Sequence, residues 1–304
     1  MGAFVTISSV MQFKNIVIIY NPKSTGKSKH NAFALQKILS KRLPHIPIQV
    51  VPTQYKAHAE ELAYAIANKY KAPLIVSCSG DGGYNEVING VMKAGKTGKN
   101  TICAVRASGN ANDHSRTMQS KPLWKAIVSD KVTHIDLLKF TVISDGKKTV
   151  RYAHSYAGLG LSPVIAKELD AQAYSRRREL MTVIKTFFKY SPFIILANNK
   201  KLTVDSLTFS NINKMAKFIK FSKVNTPDNG MFIVTLFVHR RKRYFALNII
   251  KAVFGRLESS YQQSRYEFTA LSDMPIQLDG EVVHVHAGST IKVEAVNKAL
   301  ATIV

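Results

Sequence analysis

The stretch Leu74–Met92, LIVSCSGDGGYNEVINGVM, decides the fold of this chain. Its first five residues, Leu74 to Cys78, form an apolar run short enough for a strand buried on both faces. Three glycines then interrupt the run, and from Tyr84 the apolar residues return at the spacing of a helix face. A strand, a glycine turn and a helix direct backbone N–H groups and a helix dipole to one point, which predicts an anion-binding site.

Asp81 lies in the middle of this glycine turn. A carboxylate at that place would repel a bare phosphate, so its presence predicts a metal ion between the two. The simpler alternative is a tight turn between a strand and a helix, in which Asp81 only caps the helix. The turn alone leaves both interpretations open.

The composition is that of a folded protein with a large excess of positive charge. Of its 304 residues 46% are hydrophobic, and 43 basic residues against 19 acidic ones give a formal net charge of +24. Such a surface attracts polyanions, which are either nucleic acid or anionic lipid headgroups. No apolar run approaches the roughly 20 residues that a spanning helix needs. The two cysteines lie in apolar runs and are expected to be reduced, as in a cytosolic protein.

A second phosphate-binding candidate follows the predicted strand Asn15–Tyr20. The segment Asn21–Ser28, NPKSTGKS, differs from a Walker A loop in one residue, because Asn21 stands where the first glycine belongs. A P-loop NTPase is therefore an alternative. Against it, asparagine reproduces that glycine's backbone turn poorly, and no strand ending in a Walker B aspartate is obvious.

A third loop, Ala107–Arg116, follows the predicted strand Thr101–Val105. Its Asn, Gly and Asp residues are typical of a turn. Three loops of this kind would lie at one edge of the sheet, since the ends of parallel strands meet there. In open α/β sheets that edge is where ligands bind.

Beyond Leu138 the alternation of helices and strands stops. Residues 140–160 and 202–238 alternate apolar and polar positions, with turn signals at Asp145-Gly146 and at Asp228–Gly230. We therefore predict two domains, an α/β domain over residues 1–138 and a mostly antiparallel β domain over residues 139–304.

The longer strings resemble one family. The pattern SGDGxxNEVxNG at 79–90 resembles the nucleotide-binding signature of diacylglycerol kinase and sphingosine kinase catalytic domains. Asn21-Pro22, the segment around Thr53, and Gly109, Asn112, Asp113 and Arg116 also match that family, as does Asp279-Gly280-Glu281 near the end of the chain. The resemblance implies a Rossmann-type N-terminal sheet, shared with NAD kinases, and an antiparallel β-sandwich C-terminal domain.

The resemblance also implies roles for individual residues. ATP would be bound mainly by the glycine loops, through Asn21, Pro22, Lys23, Ser24, Gly26, Lys27, Thr53, Ser79, Gly80, Asp81, Gly82, Gly83, Glu86, Gly109 and Asn110. Asp81, Asp113 and Asp136 would hold Mg²⁺ directly or through water. Glu281 would accept the proton of the attacking lipid hydroxyl, and Asp279 would pair with Lys27 or Lys23 across the cleft.

The expected partners are a membrane lipid as substrate and an anionic membrane surface, with no nucleic acid; a homodimer stays open. We therefore expect a cytoplasmic protein that associates peripherally with the inner face of the membrane. Two segments, 175–188 and 239–254, join a basic cluster to an apolar stripe. Such helices suit an anionic membrane surface, although an apolar stripe is more often part of the core.

Several residues depart from the family pattern. Gly83 replaces a threonine, Ala57 replaces a glycine, and Asn229 stands where an aspartate binds a second, structural magnesium in bacterial diacylglycerol kinases. These departures affect the prediction of the substrate more than the prediction of the reaction. Diacylglycerol is favoured over a sphingoid base or another membrane alcohol. A nucleic-acid-binding protein and a non-catalytic membrane adaptor remain as alternatives of other classes.

Overall fold

A computed structural model of the 304-residue chain describes residues 11–24, 26–160, 191–215, 219–220, 225–240 and 260–304. The predicted helical segment 175–188, and residues 241–254 of the second one, lie outside these ranges. Among the helices that are described, none combines the length and the apolar character needed to span a bilayer.

The first part of the chain alternates strands and helices, as predicted. Its strands are β1 (Asn15–Tyr20), β2 (Ile48–Pro52), β3 (Pro73–Ser79) and β4 (Ile102–Ala107). The α-helices described there are α1 (Ser28–Arg42), α2 (His58–Lys69), α3 (Asp81–Lys93), α4 (Asp113–Met118) and α5 (Leu123–Val128), and a 3-10 turn spans Gly98–Asn100.

The four strands pair in parallel in the order β2-β1-β3-β4. Every residue of β3 is buried, because its two faces pack against different sets of helices. Leu74, Val76 and Cys78 pack with α1 and α5, whereas Ile75 packs with α2 and α3. A strand covered on both sides needs an uninterrupted apolar run, and this is why the sequence alone located it.

The rest of the chain is rich in antiparallel strands. They are β5 (Thr133–Ser144), β6 (Lys147–Ala153), β7 (Tyr156–Gly160), β8 (Phe193–Ala197), β9 (Lys200–Ser210), β10 (Lys214–Met215), β11 (Ile219–Lys220), β12 (Phe232–Val238), β13 (Ser260–Gln263), β14 (Arg265–Ala270), β15 (Met274–Leu278), β16 (Glu281–Val285) and β17 (Thr290–Ile303). Their own core includes Phe140, Phe209, Phe232 and Phe268. The predicted fold class, an α/β part followed by an antiparallel β part, is confirmed.

The turn signals account for one hairpin in detail. Asp145 and Gly146 connect β5 to β6 with φ angles of 50° and 74°, the left-handed values that a tight two-residue hairpin requires. Gly230, the last residue of the other predicted turn, also has a left-handed φ of 73°. Short polar residues and glycine tolerate this region, so the local sequence was sufficient here.

The last strand connects the two parts of the fold. The first half of β17 pairs antiparallel with β14, whereas Ala301–Ile303 pair in parallel with β4. β5 runs alongside β17 and crosses residue 138 without a break. The division at residue 138 therefore stays a prediction, and the structure places the chain's last residues in the N-terminal sheet.

Candidate functional site

The three predicted loops meet at the carboxyl edge of the parallel strands. The Ser24 hydroxyl donates a 2.8 Å hydrogen bond to the carbonyl of Ser108, and the Ser108 N–H donates one of 2.8 Å to the carbonyl of Ser79. A β-carbon at Gly26 would collide with the Ser108 carbonyl, and one at Gly80 would lie 3.1 Å from the Cα of Gly109. The sheet edge therefore carries three backbones in direct contact, as predicted.

Gly109 should not accept a side chain, because its backbone faces that of Gly80. A β-carbon there would overlap the Gly80 Cα and lie 3.0 Å from its nitrogen, so one loop would have to move. We expect Gly109→Ala to lower the free energy of unfolding by about 1–3 kcal/mol. Urea denaturation would measure this. Asn110→Ala, at the exposed neighbouring position, should change it by less than about 0.5 kcal/mol, and an equal effect of both variants would contradict the close contact.

Asp81 begins α3 and links the second loop to the third. Its carboxylate accepts hydrogen bonds from the backbone N–H groups of Asp113 and His114, at 3.1 and 3.3 Å. Burial raises the pKa of Asp81 above its ordinary value, whereas the nearby His154 ring and the Asp113 N–H lower it. Asp113 itself is buried, and its carboxylate accepts a 3.4 Å hydrogen bond from the Tyr156 hydroxyl. Asp81 and Asp113 are thus brought together, as the metal hypothesis requires.

Asp136 does not join them, so the predicted set of three carboxylates needs correction. Its two carboxylate oxygens accept the backbone N–H groups of Lys298 and Gly230, at 2.7 and 2.6 Å. No group of three or more acidic, histidine or cysteine side chains within the described ranges is arranged to hold a metal ion. Asp136 is fully buried on β5. Through its backbone and its carboxylate it connects the turn at 227–230 to the part of β17 near Lys298, where the strand pairing is irregular.

Asn229 uses both ends of its amide within that same turn. Its Oδ1 accepts the N–H of Met231 at 3.0 Å, and its Nδ2 donates to Asn225 Oδ1 at 3.1 Å. The side chain that replaces the family's aspartate therefore stabilises the turn through hydrogen bonds. The existence of a second metal site here stays an open prediction.

Asp279 is also placed differently from the prediction. It is fully buried, and its oxygens accept the backbone N–H groups of His154, Ser155 and Tyr156 and the side-chain amide of Asn85, at 2.6 to 3.0 Å. Among the described residues no ion pair joins it to Lys23 or Lys27. The carboxylate instead attaches the β6–β7 connection to α3.

Two buried histidines beside Asp279 were not predicted as part of the site. His154 Nδ1 lies 2.7 Å from Asp279 Oδ2, and the His114 and His154 rings lie edge-to-face with centroids 4.7 Å apart. Tyr84 packs against both rings. Burial, followed by the neighbouring His154, lowers the pKa of His114 well below its ordinary value, so this ring is neutral. Of the two, only His114 lies within a loop that the sequence singled out, Ala107–Arg116.

Glu281 is the first residue of β16 and lies two residues after the buried Asp279. Gly280 faces the start of α3, where a β-carbon on it would lie 3.5 Å from the Gly82 nitrogen. Burial and then the neighbouring Glu86 carboxylate raise the pKa of Glu281 to about 7, although Arg151 and Lys56 act to lower it. A half-buried carboxyl group with this pKa can exchange a proton near neutral pH.

Glu86 was predicted to contact the nucleotide, but its oxygens are engaged elsewhere. They accept the N–H groups of Ala57 and Ala59 at the start of α2, at 3.1 and 3.2 Å. Ala57 has a left-handed φ of 65°, which explains why glycine is the family's residue at this position. Glu86 therefore anchors the start of α2 and also contacts Glu281.

The remaining predicted residues line the same edge. Thr53 follows β2, and its N–H donates to the Tyr20 carbonyl at the end of β1. Asn21, Pro22, Lys23, Lys27 and Asn110 are exposed, and Gly82 and Gly83 form the first turn of α3. The Ser79 hydroxyl bonds to Ser77 Oγ and to the Gly80 carbonyl, so it is already engaged within the protein.

Comparisons with known proteins agree with this geometry. Residues 15–140 match the family model described as the diacylglycerol kinase catalytic domain. A crystal structure of a diacylglycerol kinase from Bacillus anthracis str. Sterne is 18% identical, with a TM-score of 0.69 over 96% of this chain and 97% of that one. Yeast NADH kinase is 12% identical, with a TM-score of 0.53 over 96% of this chain and 83% of that one.

No curated protein matches the chain. The two structural likenesses, at these identities, establish the fold, and the family match covers the three loops that meet at the sheet edge. That match replaces the P-loop alternative for the segment 21–28. Residues 15–140 therefore match the diacylglycerol kinase catalytic-domain family, and this match indicates a kinase of the lipid kinase type.

Proposed function

We propose that this kinase transfers the γ-phosphate of ATP to the hydroxyl of a membrane lipid, with diacylglycerol as the favoured acceptor and phosphatidic acid as the product. One observation carries the proposal. Three glycine loops meet beside Asp81, and Glu281, from the other part of the fold, packs close to them through Gly280. Phosphoryl transfer needs this combination of positioning, charge neutralisation and a proton acceptor.

The loops fit a nucleotide triphosphate. Gly26, Gly80 and Gly109 lie too close to neighbouring backbone for side chains, so the three loops pack tightly at the edge where phosphate oxygens would bind. Lys23 and Lys27 are exposed at the same edge and supply positive charge.

Asp81 and Asp113 fit a divalent cation. They are acidic side chains from adjacent loops, and oxygen ligands are those that Mg²⁺ prefers. Such an ion would neutralise negative charge on the phosphates. With Asp136 engaged elsewhere, water would supply the remaining ligands, as is usual for Mg²⁺.

Glu281 supplies the base in this proposal. Its pKa of about 7 leaves a substantial fraction deprotonated at neutral pH, and the carboxylate can then take the proton of an attacking hydroxyl. The net charge of +24 supports attachment to an anionic membrane, where such a lipid is found. A sphingoid base is the second acceptor to test, since the residues near Glu281 do not distinguish lipid alcohols.

The experiment is a transfer assay with radiolabelled ATP, Mg²⁺ and mixed micelles of diacylglycerol or a sphingoid base. We expect a labelled lipid product, and we expect Asp81→Asn to lower its formation by about 100-fold or more, because a charge near the phosphates is lost. Asp228→Asn, which removes an exposed aspartate, is the matched control and should retain activity.

Absence of a labelled lipid from either acceptor and from a total lipid extract would overturn the proposal. In that case nucleotide binding without transfer would favour the adaptor alternative. Tight, salt-dependent binding to DNA or RNA would favour the nucleic-acid alternative.

A further inference from the structure

A basic cavity lies beside the nucleotide loops, and its lining includes the last two residues of the third loop, Ser115 and Arg116. It is open, about 330 Å³ in volume, and lies where β4 ends and α4 leads into α5. Three cations line it, namely Arg106, Arg116 and Lys121. None of the loop glycines that define the nucleotide site takes part in its lining.

No carboxylate balances these charges. The lining contains no acidic residue, and within the described part of the chain none of the three cations forms an ion pair. Like charges around one cavity repel one another, so a bound anion would stabilise the arrangement. The three side chains are exposed and can adjust to a ligand.

The wall of the cavity contains polar side chains as well as Pro122 and Leu123. Ser115 is buried, and the Gln119 side-chain amide donates a 2.7 Å hydrogen bond to the Val105 carbonyl, which holds α4 against the end of β4. A cavity lined by three cations and several polar side chains suits a charged, hydrogen-bonding anion.

We propose that this cavity is a second anion site, which binds a phosphate group. Guanidinium groups bind phosphate oxygens in pairs, and a lysine ammonium adds a point charge. The phosphate could come from the headgroup of an anionic lipid or from a free phosphate ion, and both would make the same contacts.

The position of the cavity connects it to the proposed active site. Arg106 is three residues before Gly109, α4 carries Ser115 and Arg116, and Gln119 follows the last residue of that helix. The same helix begins at Asp113, whose N–H donates to Asp81. An anion that fixes α4 would therefore fix the backbone that orients Asp81, which would couple the two sites.

Thermal unfolding tests the site with inorganic phosphate against sodium chloride of equal ionic strength. We expect phosphate at about ten times its dissociation constant to raise Tm by roughly 2 to 4 °C. The double variant Arg106→Gln/Lys121→Gln should lose most of this rise. The matched control Lys147→Gln/Lys148→Gln removes the same charge from the exposed β5–β6 hairpin and should keep it.

Vesicle sedimentation distinguishes the two sources of phosphate. The probes are vesicles of phosphatidylcholine with and without phosphatidylglycerol. Weaker binding of the cavity variant than of the hairpin variant to the anionic vesicles identifies a lipid headgroup as the ligand. Equal vesicle binding, together with a lost response to phosphate, identifies free phosphate. If both variants behave alike in both measurements, the proposal is overturned, and unchanged circular dichroism would show that the variants are folded.

Discussion

Replacing Glu281 with glutamine is expected to lower the turnover number for lipid phosphorylation by about 100- to 10,000-fold, the range for loss of a general base. Glutamine keeps the shape of the side chain but cannot accept the proton. The effect should appear in kcat, with little change in the apparent affinity for ATP, because Glu281 lies on β16 and not on the nucleotide loops. Steady-state kinetics with mixed micelles would measure it.

The pH dependence gives a second readout of the same residue. Since the pKa of Glu281 is about 7 and the base must be deprotonated, the rate should rise about tenfold per pH unit below 7 and level off above it. Glu281→Gln should lose this rise. Glu86→Gln removes a charge that raises the pKa of Glu281, so the rise should move to lower pH. Glu267→Gln, at an exposed position on β14, is the control; if all profiles coincide, Glu281 is not the base.

Replacing Asp279 with alanine is expected to cost about 3–5 kcal/mol of the free energy of unfolding, the range for removing a buried charged group from its hydrogen-bond partners. The change would leave three backbone N–H groups and the Asn85 amide without their acceptor in a site from which water is excluded. His154 would also lose the carboxylate beside its ring. Urea denaturation would measure the loss.

The pKa of Asp279 predicts how this contribution varies with pH. Burial acts to raise that pKa, but His154 and the backbone N–H groups outweigh it and hold it below the ordinary value of 3.8. Because the folded-state pKa is lowered, the stabilisation is complete above the unfolded-state value and is lost only as the pH falls through the folded-state value. Asp228→Ala, at an exposed turn, is the control and should cost less than about 0.5 kcal/mol. Similar costs for the two variants would show that Asp279 is not the anchor.

Local sequence patterns predicted the ends of the buried parallel strands best. β1 begins and ends at Asn15 and Tyr20, as predicted, because a strand buried on both faces is a plain apolar run bounded by polar residues. Helix starts were less well predicted. The helix after the glycine turn begins at Asp81 rather than Tyr84, since glycines inside a helix mask its first turn.

The carboxylates show the limit of sequence patterns. Asp81 and Asp113 were brought together correctly because each follows a parallel strand, and parallel strands end at one edge. Asp136 and Asp279 follow no such rule. Their partners are backbone N–H groups 94 to 162 residues away for Asp136 and 123 to 125 residues away for Asp279, and backbone groups leave no signature in side-chain chemistry.

The sequence by itself determined the parallel sheet, the three glycine loops and the edge at which they meet, because these depend on periodicity and on residues that only a tight turn accepts. Only the tertiary structure decided which acidic side chains face the loops and which are used to hold the fold together. It also showed that Arg106, Arg116 and Lys121 share one cavity. The physical reason is the same for each: charge and hydrogen bonding act between residues distant in sequence, and their pairing is fixed only when the strands have packed.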